Sequence, residues 1–212
     1  MATAATQATI AALTPTTDQT PAVAEIQNEL SGSQWVNRFP GSSSTDELTE
    51  EFRTSVDNFV SAMRNAGATV TISATYRPPE RAYLMHWSWK IVKQNTAPAS
   101  VPAMDGVQID WDHGDNAASV AAARAMVNGY GIQNLNVPPA LSSRHTERRA
   151  IDMSISWSGT LRIENASGTN VEIATTPRTG MNTQLQDVGR TYGVIKFVGG
   201  ESDRPHWSSD GH

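Results

Sequence analysis

The residues of this chain best suited to chemistry fall in two segments far apart, Ser143-Arg144-His145-Thr146-Glu147-Arg148-Arg149-Ala150-Ile151-Asp152 and Asp203-Arg204-Pro205-His206-Trp207. The first sets an imidazole in a loop and a carboxylate on the wet face of the strand expected to follow, so that both can point into one cleft. In the second, Pro205 pushes Arg204 toward extended geometry, and the resulting bend can bring Asp203 and His206 together. His145, Asp152 and His206 form a donor set that suits a zinc ion. Three protein ligands leave a fourth tetrahedral position open, which separates a catalytic from a structural zinc. Zinc held in this way lowers the pKa of water to roughly 7 and polarises a peptide carbonyl. A neighbouring carboxylate can then carry a proton to the leaving amine, and Asp203 is the candidate for that role.

Composition narrows the chemistry further. The chain has no cysteine, so disulfides and thiolate chemistry are excluded, and any metal must be held by His, Asp or Glu. A net charge of -5 argues against a nucleic-acid partner gripped through its phosphates, which needs a dense field of Lys and Arg. Hydrophobic residues at 38% and charged residues at 17%, with frequent Gly, Pro, Ser and Thr, describe a globular chain with generous loops. A length of 212 residues fits one domain with a tail.

The elements that must position the site are legible in outline. Leu48, Phe52, Val56, Phe59, Val60 and Met63 recur at helical spacing, with Ser44 and Glu47 placed as a capping box and Gly67 as a stop. Val70 and Ile72 alternate with Thr and Ser through 68–75, as in a strand with one wet face, which ends at Tyr76 and Arg77. Pro78 and Pro79 break that strand and open a second helix through Val92. Asp115 caps a third, Ala-rich helix closed by Gly129. Along 150–157, Ile151, Met153, Ile155 and Trp157 alternate with Ala150, Asp152, Ser154 and Ser156, so the carboxylate belongs to the polar face. A hairpin over 161–173, a helix marked by Met181, Leu185, Val188 and Tyr192, and a last strand over 194–198 feeding 203–208 complete the chain. The expected class is α+β, with a small, mostly antiparallel sheet flanked by helices.

The remainder of the chain carries weaker expectations. Residues 1–28 read as a flexible low-complexity tail of Ala, Thr and Gln, too poor in large apolar groups to offset ordering entropy, and 29–212 as the functional domain. Met1–Leu13 lacks Lys, Arg and any uninterrupted apolar run, so it fails as a secretory signal or membrane anchor. Asp110, Asp112 and Asp115 around His113 read as a solvated turn and helix cap, since the ligand series of a calcium loop is incomplete. His86, Trp87 and Trp89, at helical spacing, read as core more than as a groove lining. His212 is expected to fray.

The pattern Ser-x-His-x(6)-Asp, followed far downstream by an acid three residues before a His, resembles the zinc D-Ala-D-Ala peptidases, a group of carboxypeptidases, dipeptidases and phage endolysins. The resemblance spans roughly 70–207 through sparse motifs. It implies a hedgehog/D,D-peptidase-like fold, zinc on His145, Asp152 and His206, and Asp203 as general acid/base. Ser73-Ala74-Thr75-Tyr76-Arg77 is similar to the family's strand-end arginine motif. That likeness implies that Arg77 contacts substrate and stabilises developing negative charge, with Tyr76 and Ser143 also at the substrate. The family has Gly where Arg148 stands, and Gly permits a positive φ that Arg tolerates poorly. The Asp-x-Pro-His form is closer to the endolysin branch.

The activity implied is hydrolysis of peptide bonds in bacterial peptidoglycan by a monomer. It would be made in the cytoplasm without a signal peptide and act in the periplasm or wall after specialised export or lysis, with an export or immunity partner as a further implication. The alternative is a non-catalytic, zinc-containing module that binds cell wall or protein, as hedgehog signalling domains of the same fold do. Asp203 weighs against that alternative, since binding needs no proton shuttle.

Overall fold

The computed structural model describes residues 27–212. The expected tail, all but its last two residues, and the Met1–Leu13 segment therefore lie outside the described residues. In chain order the elements are β1 (Glu29–Leu30), α1 (Glu50–Asn65), β2 (Thr69–Ala74), α2 (Pro79–Gln94), β3 (Ile109–Asp110), α3 (Asn116–Gly129), β4 (Ala150–Ser156), β5 (Leu161–Glu164), β6 (Asn170–Ile173), α4 (Thr183–Thr191), β7 (Ile195–Lys196) and β8 (His206–Ser208). The class is α+β, and the main sheet, ordered β2-β4-β8-β7, is antiparallel throughout. None of the described helices is long and apolar enough to cross a membrane.

The sheet has a dry face and a wet face because its strands alternate. Ile151, Met153 and Ile155 of β4 are buried, whereas Ser154 and Ser156 are exposed. On the dry side, α1 presents Phe52, Val56, Phe59, Val60 and Met63 and α4 presents Leu185 and Val188, and the β5–β6 hairpin closes the same core. Trp207 of β8 is fully buried at its centre, its ring 5.6 Å from that of Phe59. Burying a side chain of that size contributes at least about 2 kcal/mol. Gly189 lets α4 approach closely, because a Cβ there would stand 2.9 Å from the Trp207 ring and 2.8 Å from the Val194 carbonyl. Trp207 thus anchors β8, and its neighbour His206 must face the other way.

A second core lies under α2 and α3, where Trp35, Tyr83, Leu84, Ile91, Trp111 and Met126 are buried together. Trp89 is likewise buried, matching its reading as core. His86 Nδ1 lies 2.8 Å from the Pro139 carbonyl, and Trp89 Nε1 donates to the Leu135 carbonyl at 3.3 Å. Two α2 side chains therefore tie down the long loop between α3 and β4. Asp110, Asp112 and Asp115 accept backbone N–H groups of Asp112, Gly114 and Ala118, which makes them turn and cap residues as expected.

Some boundaries differ from the sequence reading. Ser44 caps a separate 3₁₀ turn, Thr45–Glu47, by accepting from Asp46 N–H, so the capping box does not belong to α1. Leu48 is extended and α1 begins only at Glu50, after the Thr49 N–H has paired with the Arg148 carbonyl. The expected last strand, 194–198, shrinks to Ile195–Lys196, and the 203–208 stretch that it feeds contains a further strand, β8. The parallel β1–β3 pair carried no recognisable pattern, because each strand is only two residues long.

Candidate metal centre

Asp152 and His206 are directly opposed across the β4–β8 ladder, so their side chains leave the sheet on the same face. His145 comes from the preceding loop, which curls tightly: the N–H groups of Glu147, Arg148 and Arg149 pair with the carbonyls of Ser143, His145 and Arg144. The Arg77 N–H also pairs with the His145 carbonyl, joining this loop to the end of β2. Three atoms converge as a result. His145 Nε2, His206 Nδ1 and Asp152 Oδ1 stand 3.2 Å from one another along all three edges. Donors around a tetrahedral ion with bonds of about 2.0–2.1 Å are separated by roughly 3.3 Å. The group can hold a metal ion.

Hydrogen bonding on the far side of each ring favours the same conclusion. His145 Nδ1 lies 3.1 Å from the Thr75 carbonyl, and His206 Nε2 lies 3.1 Å from the main-chain oxygen of His212. A carbonyl only accepts, so each of those outer nitrogens carries a proton, and the inward nitrogens can offer lone pairs to an ion or, when protonated, donate to Asp152. Burial by itself would raise the Asp152 pKa, but its hydrogen bonds with His145 and His206 outweigh that and hold it well below the usual carboxylate range. Burial works to lower His206, yet Asp152 prevails and raises it.

The cluster opens on a cavity of about 610 Å³, lined also by Leu135, Val137, Pro139, Phe197 and Asp203. Asp203 Oδ2 lies 4.0 Å from His206 Nδ1, so the bend at Pro205 does unite the two residues. Burial first, and the negative charge of Asp152 second, raise the Asp203 pKa above the ordinary value. Arg77 also lines the cavity, and its guanidinium has no hydrogen-bond or ion-pair partner among the described residues. Burial lowers its pKa, against the pull of Asp152. Ser143 is a lining residue too, with a hydroxyl that lacks a partner among the described residues. Tyr76 is not part of this wall; the Arg148 guanidinium lies over its ring at 4.0 Å.

Arg148 takes the backbone shape that glycine would have favoured, with φ +62°. The strain, about 1–2 kcal/mol for an L-residue, is offset by stacking on Tyr76 and by an ion pair with Glu47 at 2.7 Å. Arg148→Gly should therefore change stability by less than about 1 kcal/mol, as lost contacts trade against relieved strain. Arg148→Val keeps the strain and loses the contacts, and should destabilise by about 1–3 kcal/mol. Urea midpoints of the two variants check this.

Several positioning residues escaped the sequence reading. Lys196, buried beneath the turn, donates from Nζ to the carbonyls of Asp203 at 3.0 Å and His206 at 2.8 Å, fixing both ends of the segment that carries them. A lysine inside Val194-Ile195-Lys196-Phe197-Val198 was the available signal. His212, expected to fray, is tied to the site: its oxygen lies against His206, and Arg144 pairs with Asp210 beside it. Thr75, fully buried, lends its carbonyl to His145. A scan against protein-family models and a search of curated proteins both return no match for this chain.

Proposed function

We propose that this protein is a zinc-dependent peptidase that hydrolyses peptide bonds in the stem or cross-link of bacterial peptidoglycan. The observation that carries the reading is the equilateral donor triangle of His145, Asp152 and His206, 3.2 Å on each edge, with one side open to a cavity large enough for a short peptide. The donor chemistry fits zinc, because two neutral imidazoles and one carboxylate are a common set for a site that keeps a free position. When bound, zinc supplies a Lewis acid that polarises the scissile carbonyl and makes water a competent nucleophile near neutral pH.

The chain's own residues account for the remaining steps. Asp203, half-exposed and beside His206, takes a proton from the attacking water and returns it to the amine as the C–N bond breaks. Its raised pKa suits a group that must both accept and give up a proton. The Arg77 guanidinium, unpaired among the described residues, supports the charge that develops on the carbonyl oxygen. Ser143 offers its free hydroxyl to the substrate backbone, and the apolar wall from Leu135 to Pro139 shields the peptide from bulk water. The peptidoglycan assignment is supported by the resemblance of these motifs to the zinc D-Ala-D-Ala peptidases. Zinc-loaded protein incubated with stem-peptide fragments should release new amino groups, with mass spectrometry locating the cut. No amine release in the presence of zinc would overturn the proposal.

A further inference from the structure

The turn that carries Asp203 has few ties to the rest of the fold. Every residue from Glu201 to Arg204 is exposed, and the backbone follows a short 3₁₀ turn, Gly200–Asp203. The N–H groups of Gly200 and Ser202 pair with the carbonyls of Phe197 and Gly199, and Arg204 pairs with Glu201, so these contacts stay within the turn. Among the described residues, one hydrogen bond joins 199–204 to a group outside 197–206: Lys196 Nζ donates to the Asp203 carbonyl at 3.0 Å. An exposed turn with a single outside tie loosens when that tie is removed.

Lys196 stands opposite Trp207 in the β7–β8 ladder, so its side chain leaves the sheet on the dry face, where it is only 6% exposed. Burying an ammonium group is costly unless its protons are accepted. Its Nζ lies 5.7 Å from the centroid of the Trp207 ring and gives its hydrogen bonds to two carbonyls, that of Asp203 and that of His206 at 2.8 Å. One cation thus brackets the Asp203-Arg204-Pro205-His206 segment. The two ends do not depend on it equally. The His206 carbonyl also accepts the Phe197 N–H at 3.2 Å, and His206 is held in the ladder opposite Asp152. The Pro205 carbonyl is fixed as well, by the Met153 N–H at 2.9 Å. With the ammonium group gone, the metal ligand keeps these supports, whereas the Asp203 end loses its outside tie.

We infer that Lys196 is a positioning residue for the proton carrier: it sets where Asp203 stands beside the metal cluster, 4.0 Å from His206 Nδ1, and is not needed to hold the ion itself. The inference rests on the peptidase reading for the role of Asp203, but the tie on the turn stands apart from it. A misplacement of about 1 Å in a group that must meet the reacting atoms can cost about a hundredfold in rate.

Lys196→Met keeps the apolar stem and removes the donors, and Lys196→Gln, shorter and uncharged, is its companion. Both are prepared as full, zinc-loaded chains. Zinc stoichiometry should equal that of the parent. Backbone order parameters across 200–204 should fall from about 0.85 to below about 0.6, with those of β4 unchanged. Against a stem-peptide fragment, kcat should fall by about 10–100-fold with KM within about threefold of the parent. In an Asp203→Ala background the same replacements should change kcat by less than about threefold, because a residue that acts through Asp203 then has nothing left to position. Equal losses in both backgrounds, unaltered order parameters across 200–204, or loss of zinc from both variants would each overturn the assignment. A parent chain that hydrolyses no peptide, with the turn loosened in Lys196→Met, sinks the peptidase reading and keeps the tie. A parent that turns over, with kcat unchanged in Lys196→Met, does the reverse.

Discussion

His145→Ala and His206→Ala are each expected to weaken zinc binding by more than about a hundredfold and to remove turnover with it. Loss of an outer-sphere partner alone costs about 10–100-fold in metal affinity, so loss of a direct donor must exceed that range. Two predictions separate this outcome from simple misfolding. In the unmodified protein, zinc at about a thousand times its dissociation constant should add about 4 kcal/mol to stability. For a chain of this size that raises the melting temperature by roughly 8–16 °C. In either alanine variant the metal-free melting temperature should be close to that of the metal-free parent, because neither imidazole belongs to the apolar core, while the rise on adding zinc should vanish. A variant that keeps the full rise would show that the ion is held elsewhere.

Asp203→Ala should lower kcat/KM by about 10²–10⁴-fold, the range ascribed to a positioned general acid/base, and leave zinc stoichiometry and affinity nearly as they were. The separation follows from geometry. Asp203 Oδ2 approaches His206 Nδ1 only to 4.0 Å, outside the 3.2 Å triangle, and the carboxylate is half-exposed, so its removal opens no cavity in the core. Asp203→Asn keeps the shape and removes the titrating group, and should lose nearly as much activity as the alanine variant. Recovery of activity in Asp203→Asn would assign the residue a merely steric part. Loss of zinc from Asp203→Ala would make it a ligand instead of a proton carrier. Dialysis against a chelator provides the companion measurement: turnover should fall in proportion to zinc removed and return on its addition.

The identity of the candidate metal-binding residues was legible because their types are rare and their neighbours regular. The alternation of Ile151, Met153 and Ile155 with Asp152 and Ser154 fixed which face would carry the carboxylate. Pro205 marked a turn between Asp203 and His206. The helices α1, α2 and α3 were recognisable from apolar spacing, a proline start and an aspartate cap. β8 was hidden because three residues between Pro205 and Ser209-Asp210-Gly211 offer no period to detect. The functions of Thr75, Lys196 and His212 were hidden for another reason. They act through a carbonyl, an ammonium group reaching two carbonyls, and a main-chain oxygen, and no side-chain type announces such partners.

The amino-acid sequence alone determined the donor chemistry: two imidazoles and one carboxylate, no thiolate, and an acid three residues before the second histidine. It also determined the α+β class, since local periodicity is written residue by residue. Only the tertiary structure decided that Asp152 and His206 are cross-strand partners, that backbone carbonyls select the imidazole tautomers, and that Arg77 stands unpaired, among the described residues, at the cavity. Those facts depend on strand register and on contacts between residues as many as 70 positions apart, which local pattern cannot specify because many registers satisfy the same alternation.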